Sequence, residues 1–170
     1  MLQKLKQAVG KWAGIDSMGF TGRFNLKCYD KAGNLKWDTG WIKNSTTHAG
    51  SAVLAGLMGN VGGLAAFTYL AVGTSTTAAS TSQTALGAEI TDTGLARAQG
   101  TASRVTTSQT NDTLQVTYTW TASGSKTVEE IGLFNASSSG TMAARGLTTS
   151  KALANTDQLI GTYQVKFTAS

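Results

Sequence analysis

Apolar and polar side chains alternate along much of this chain, with the period of two that is typical of half-buried β-strands. The alternation is cleanest at 114–121 and 163–168. Clusters of Gly, Asn, Asp and Ser separate such runs and predict turns. The predicted strands are 24–28, 35–41, 67–72, 96–107, 114–121, 127–135, 141–147 and 159–168. About eight strands suffice for two sheets, so the sequence predicts an all-β, jelly-roll-like sandwich.

Two segments have helical periodicity instead. Residues 46–58 follow a helix-start signal at Asn44–Thr47, place Val53 and Leu57 on an apolar face, and end at Gly59. The second segment spans residues 2–13 and combines an apolar stripe with lysines. The predicted organisation is an N-terminal amphipathic basic arm at 1–19 and a β-sandwich domain at 20–170.

The arm is too short to be a stable helix alone and needs a surface to lie on. Its own domain, a neighbouring subunit and a membrane are all open as that surface. The stripe and its lysines are candidate partner-binding residues: Leu2, Lys4, Leu5, Lys6, Val9, Lys11 and Trp12.

Residues 52–73 form a stretch of 22 residues without a charge, which is long enough for a membrane span. The glycine-rich break at 59–63 opposes it. The sequence favours a helix, a glycine loop and a strand there, and no membrane partner.

Composition strengthens the β assignment. Charged residues make up 14% of the chain, whereas Thr and Ser number 27 and 15. Thr is β-branched and suits a pleated, half-exposed surface, which predicts a neutral, polar exterior. The net charge of +5 lies in residues 1–44, with eight Lys/Arg and three Asp. An acidic partner would therefore meet that part of the chain.

Residues 73–88 form a Thr-rich stretch without a single charge. Such a segment can lie extended across a partner, because no charge must be desolvated. Thr76 and Thr77 are the candidate partner contacts. A solvated loop that ends in a helical turn is the alternative, and the sequence leaves both open.

Candidate chemistry is sparse. The chain has one histidine, His48, and one cysteine, Cys28, so a His/Cys metal site is out of reach. A single cysteine excludes an internal disulfide and leaves the redox compartment undetermined. Cys28 lies on the apolar side of its strand, which predicts an inert core thiol. Glu129 and Glu130 are adjacent and would point to opposite faces of a strand. We expect no catalysis, no cofactor, no metal and no nucleic-acid partner. No signal-peptide pattern is present, so folding in a cytosol is expected.

Several motifs carry a resemblance that covers about 130 residues. They are "W…WIKNSTTHAGSAVLAGL" (37–57), "YLAVGTSTTAASTSQTALGAEI" (69–90), Arg97, "EEIGLFNASSSGTMAAR" (129–145) and "DQLIGTYQVKF" (157–167). Together they resemble a class of tailed-bacteriophage virion proteins, described as capsid-associated, tail or fibre proteins. The first 34 residues lie outside the resemblance. Ala79 and Gln83 replace the Pro and Asp that the class tends to have in the Thr-rich loop, which implies a less stiff loop.

The resemblance implies a structural protein of the virion, assembled in the host cytoplasm. The predicted role is a capsid decoration or cement protein, favoured as a homotrimer, that binds neighbouring major capsid subunits. A tail, baseplate or fibre component is the first alternative. A glycan-binding module is the second, with Trp37, Trp41 and Trp120 as candidate stacking residues.

Overall fold

The computed structural model describes residues 18–169, which form ten strands and one helix. The helix α1 spans His48–Met58. The strands are β1 (Met18–Tyr29), β2 (Leu35–Asp38), β3 (Ile42–Thr46), β4 (Tyr69–Gly73), β5 (Ala98–Gln99), β6 (Thr101–Val105), β7 (Thr113–Thr121), β8 (Lys126–Phe134), β9 (Met142–Leu153) and β10 (Gln158–Ala169). The arm candidates at positions 2–12 lie outside the described residues.

The strands are antiparallel and follow the order β5-β4-β8-β9-β3-β1-β10-β7-β6, with β2 added beside β1. The two ends of this order lie close together, because β5 and β6 are separated only by Gly100. The Gly100 amide donates to the Thr68 carbonyl at 2.8 Å. A Cβ at Gly100 would lie 2.8 Å from the Thr117 carbonyl oxygen, so the near-closure of the sheet depends on a glycine here.

The all-β sandwich with one helix is confirmed, with ten strands instead of about eight. One extra strand arises because the predicted strand 96–107 divides at Gly100 into β5 and β6. The other is β3, whose sequence Ile-Lys-Asn-Ser-Thr was assigned in part to the helix start. β3 is hidden from pattern analysis because pairing with β1 and β9 holds it, and not an alternating apolar face.

The main core fills the space between the two layers of the sandwich. Phe24 and Leu26 enter from β1, Leu70 from β4 and Leu133 from β8, and all are 2% exposed or less. Cys28 is fully buried among them, which confirms its prediction as a core thiol. Burial raises its pKa to about 11, with a contribution from the Asp157 carboxylate.

α1 closes one end of this core against β9. Thr47 caps the helix, since its hydroxyl accepts the Gly50 amide at 2.9 Å and donates to the Met142 carbonyl. A Cβ at Gly50 would lie 2.6 Å from the Ala143 Cα, so the helix approaches the strand backbone as closely as a glycine permits.

The uncharged run 52–73 is divided between the end of α1, a glycine loop and β4, as the sequence favoured. Within residues 18–169, the structure contains no helix with the length and apolarity that a bilayer crossing requires.

Candidate functional site: an uncharged face held by a buried ion pair

The Thr-rich loop at 74–88 lies on the outer surface of the layer that contains β4, β8 and β9. Leu86 anchors it by packing with Ala71, Phe134 and Met142 in a small second core. Gly132 makes room for this contact, because a Cβ there would lie 2.9 Å from the Leu86 Cδ2. The loop is therefore packed onto the sheet, and it covers the charged residues beneath it.

Those residues are Glu130 of β8 and Arg145 of β9, which are both fully buried. The Arg145 Nε donates to the Glu130 Oε2 at 2.6 Å. A buried charge is tolerated only when it is paired and hydrogen-bonded. The remaining hydrogen bonds of Glu130 and Arg145 therefore show which parts of the structure the pair holds in place.

The Glu130 carboxylate holds the two ends of the loop. It accepts the backbone amides of Ser75 at 3.2 Å, Gly87 at 3.0 Å and Ala88 at 2.8 Å. These donors belong to residues twelve or thirteen positions apart in sequence. One carboxylate thus closes the loop at its base.

Arg145 holds the middle of the loop. Its Nη1 donates to the Thr77 carbonyl at 2.8 Å and to the Gln83 Oε1 at 3.1 Å. Gln83 also accepts the Ser80 amide at 2.9 Å. The guanidinium therefore holds both the Thr77 backbone and the Gln83 side chain of the loop against β9.

The loop is also joined to the helix. The His48 amide in the first turn of α1 donates to the Thr81 carbonyl at 2.9 Å. His48 is exposed at the surface.

A second ion pair stands beside the loop. Arg97 donates to both carboxylate oxygens of Glu89, at 2.9 and 2.6 Å, and its guanidinium carbon lies 3.6 Å from the centre of the Phe134 ring. Its Nη1 donates to the carbonyls of Ala136 and Ser139 at 3.2 and 2.7 Å. This pair fixes the turn between β8 and β9 against the end of the loop.

Thr76 and Thr77 are exposed at the outer surface of the loop, so the structure leaves both hydroxyl side chains accessible to a partner. Sequence reasoning missed the residues that position them. It treated Glu130 only as a neighbour of Glu129 and did not consider Arg145 individually. A signal was present for Arg145, which is the single charge in the apolar first part of β9, whereas Glu130 stands beside Glu129 and gave none.

The surroundings of the loop are uncharged as well. Residues 44–88 contain no Asp, Glu, Lys or Arg. This stretch supplies α1, the glycine-rich connection to β4, and the Thr-rich loop, and we call their exposed surface the uncharged face. Its exposed apolar side chains are Met58, Val61 and Leu64, at 74%, 66% and 38%. All three come from the short segment 58–64, and large exposed apolar side chains gathered in one place are a candidate interaction surface.

The three candidate tryptophans have different environments. Trp120 is 2% exposed and donates to the Ala96 carbonyl at 2.8 Å, so it packs in the core. The suggestion that Trp120 stacks on a glycan is therefore wrong. Trp37 is partly buried and donates to the Ala152 carbonyl. Trp41 is 46% exposed, with the Arg23 guanidinium 4.0 Å from its ring centre.

Among the described residues, no three His, Cys, Asp or Glu side chains come together as metal ligands would.

Comparison with known families adds to this geometry. The family model of the podophage GP4 fiber I protein gp80 matches residues 44–166. The chain belongs to this family. The match starts in β3 and ends in β10, so it includes α1, the Thr-rich loop and both ion pairs. No curated protein and no solved structure matches the chain.

Family membership confirms the resemblance to tailed-phage virion proteins. The chain is a structural protein of the virion, where it is associated with other virion proteins. The family description names a fibre, which agrees with the first alternative more closely than with capsid decoration.

Proposed function

We propose that this protein is a non-catalytic fibre or tail subunit, and that its uncharged face binds a neighbouring virion subunit. The observation that carries the proposal is the combination of an uninterrupted uncharged stretch with a loop that is held rigid by buried charges. The charges that hold the loop lie beneath it, and residues 44–88 themselves contain no Asp, Glu, Lys or Arg.

Both properties favour association. The centre of a protein interface is depleted of charged residues, because each buried charge must lose its water. A loop that is already ordered loses less conformational entropy on binding than a flexible one. Hydroxyls of the Thr-rich loop supply hydrogen bonds, and Met58, Val61 and Leu64 supply apolar area.

The homotrimer remains a proposal. Unguarded sheet edges are one cause of self-association. Among the described residues, the strands with a single partner are β2, β5 and β6. β5 has two residues, β6 carries Arg104, and β2 carries Lys36 and Asp38, so these edges are short or charged. The uncharged face is thus a better candidate for contact between copies than a strand edge.

The test introduces charge into the uncharged face. Thr76→Glu and Val61→Glu place a carboxylate at exposed positions, so folding is retained while a dry interface would have to bury the charge. The matched control is Thr119→Glu, an exposed threonine of β7. We expect the first two variants to be absent from particles purified from phage that lack the wild-type chain, and the control to be incorporated. Incorporation of all three at the wild-type level would refute the interface.

The location on the particle separates fibre from capsid decoration. An electron-microscopy label on the chain is expected at the tail. A label spread over the head would overturn the fibre assignment and favour the decoration role, while the interface could still stand.

A further inference from the structure

A polar cleft of about 360 Å³ opens on the outer surface of β1 and β10, in the layer opposite the uncharged face. Loop 107–112 forms one wall. The lining consists of four Thr and Ser residues, the Gln164 amide, and two cations, Arg23 and Lys166. Nothing in the proposed assembly role uses this cleft.

Arg23 is fixed in the cleft by neutral groups. Its Nε and Nη2 donate to the Gln164 Oε1 at 3.1 and 2.7 Å, and its guanidinium stacks on Trp41. Gln164 in turn donates to the Gln115 Oε1 at 2.8 Å. The guanidinium is therefore oriented before any ligand arrives.

The charge of Arg23 is not neutralised, in contrast to the other partly or fully buried arginines. Arg97 pairs with Glu89 and Arg145 with Glu130. Among residues 18–169, no carboxylate lies within 4.0 Å of the charged nitrogens of Arg23 or Lys166. Lys166 donates to the Ser108 hydroxyl at 3.0 Å.

Strand register adds a third cation. Lys43 of β3 is the direct partner of Arg23 of β1, and directly paired residues project on the same side of a sheet. On the other side of β1, Gln164 of β10 is the direct partner of Arg23. Lys166 is two positions after Gln164 in β10, so its side chain projects on the same face. The three cations thus lie on one face, where their potential favours an anion.

The acidic group that approaches this wall is Asp112. Its carboxylate accepts the backbone amides of Gln109, Thr107 and Ser108 at 2.9, 2.9 and 3.0 Å, and these bonds hold its pKa well below the usual range. Its lone pairs are used to shape loop 107–112. It therefore builds the wall and leaves Arg23 and Lys166 available.

We propose that this cleft binds a carboxylated sugar, with the carboxylate on Arg23 and Lys166 and the sugar hydroxyls on the Thr21 and Ser108 hydroxyls and the Gln164 amide. The planar guanidinium suits a carboxylate, since it offers parallel N–H donors. Hydroxyl and amide side chains donate and accept, as sugar hydroxyls require. The volume is in the range of small-molecule sites, which is roughly 300–1,000 Å³.

The experiment titrates the full-length protein separately with galacturonate, galactose and inorganic phosphate. Calorimetry and changes in amide NMR shifts measure the binding. We expect galacturonate to bind at least about tenfold more tightly than either comparison ligand, because each lacks one of the two recognised features. Arg23→Met and Lys166→Met should each weaken galacturonate binding by about tenfold, which corresponds to one lost charge-assisted hydrogen bond. Lys151→Met, which removes a cation 6.0 Å from the Trp37 ring, is the matched control and should bind as the wild type.

Phosphate binding as tight as galacturonate binding would show a simple anion site and overturn the sugar. Equal galactose binding would overturn the role of the cations, and no galacturonate binding at millimolar concentration would overturn the site. If Arg23→Met does not fold, Arg23→Lys retains the charge but loses the fork. It is expected to bind more weakly than the wild type, and wild-type affinity in it would contradict the proposal.

Discussion

Removal of Arg145 is expected to reveal how strongly the buried ion pair supports the fold. In Arg145→Met, Glu130 keeps its three loop amides but loses its counter-charge in a fully buried position. Because neither side chain has solvent exposure, no screening reduces the effect. Loss of one partner of a buried pair costs about 3–5 kcal/mol, and we expect a decrease of this size in the free energy of unfolding.

The double variant Glu130→Met/Arg145→Met separates charge from hydrogen bonding. It leaves no unpaired charge, so it should be more stable than Arg145→Met alone. It also removes three bonds from Glu130 to the loop and two from Arg145 to the loop. At about 1 kcal/mol net for each bond, the loop should open while the sandwich stays folded.

Urea unfolding monitored by circular dichroism measures the loss of stability in Arg145→Met. Hydrogen exchange of the Gly87 and Ala88 amides measures the opening of the loop in the double variant. Arg104→Met, at an exposed arginine of β6, is the control and should change stability by less than about 0.5 kcal/mol. A decrease of less than about 1 kcal/mol in the unfolding free energy of Arg145→Met would refute the conclusion that the buried ion pair supports the fold. Protected Gly87 and Ala88 amides in the double variant would refute its role in holding the loop.

Three further predictions concern other parts of the chain. Gly50→Ala should lower the unfolding free energy by about 1–2 kcal/mol in urea titration, since the clash with the Ala143 backbone exceeds the roughly 1 kcal/mol gain in helix propensity; an increase would contradict the close packing of α1. The Cys28 thiol should resist alkylation in the native state. Stability should fall between pH 9.0 and about 11, where the unfolded chain ionises and the folded one does not; rapid native labelling would exclude the buried assignment. Deletion of residues 1–14 should leave the circular dichroism of the sandwich intact and abolish binding to particles; full binding would show that the arm is not an anchor.

The sequence by itself determined the fold class and most of the strands. Alternation in β7 and β10 arises because one face of each strand enters the core, and that demand is local enough to be read from periodicity. The helix start at Thr47 was also predictable, since its cap is formed within one turn of the helix. The motifs of the family resemblance came from the sequence alone and agree with the family match.

Only the tertiary structure showed what the charged motif residues do. Glu130 and Arg145 are fifteen positions apart, and their loop partners are more than forty positions from Glu130. Such contacts depend on strand register and on the path of the loop, which no local pattern encodes. β3 was hidden for the same reason, because backbone pairing with two distant strands stabilises it.

The two candidate surfaces also divide in this way. The absence of charge in 73–88 was visible in the sequence, but whether that loop was fixed or solvated depended on Arg145 binding the Thr77 carbonyl. The sequence placed an excess of cations in residues 1–44, which include Arg23, but it did not predict the cleft, whose cations come from β1 and β10, at opposite ends of the described chain. Antiparallel pairing brings them together, and the absence of a carboxylate beside them is a property of that pairing alone.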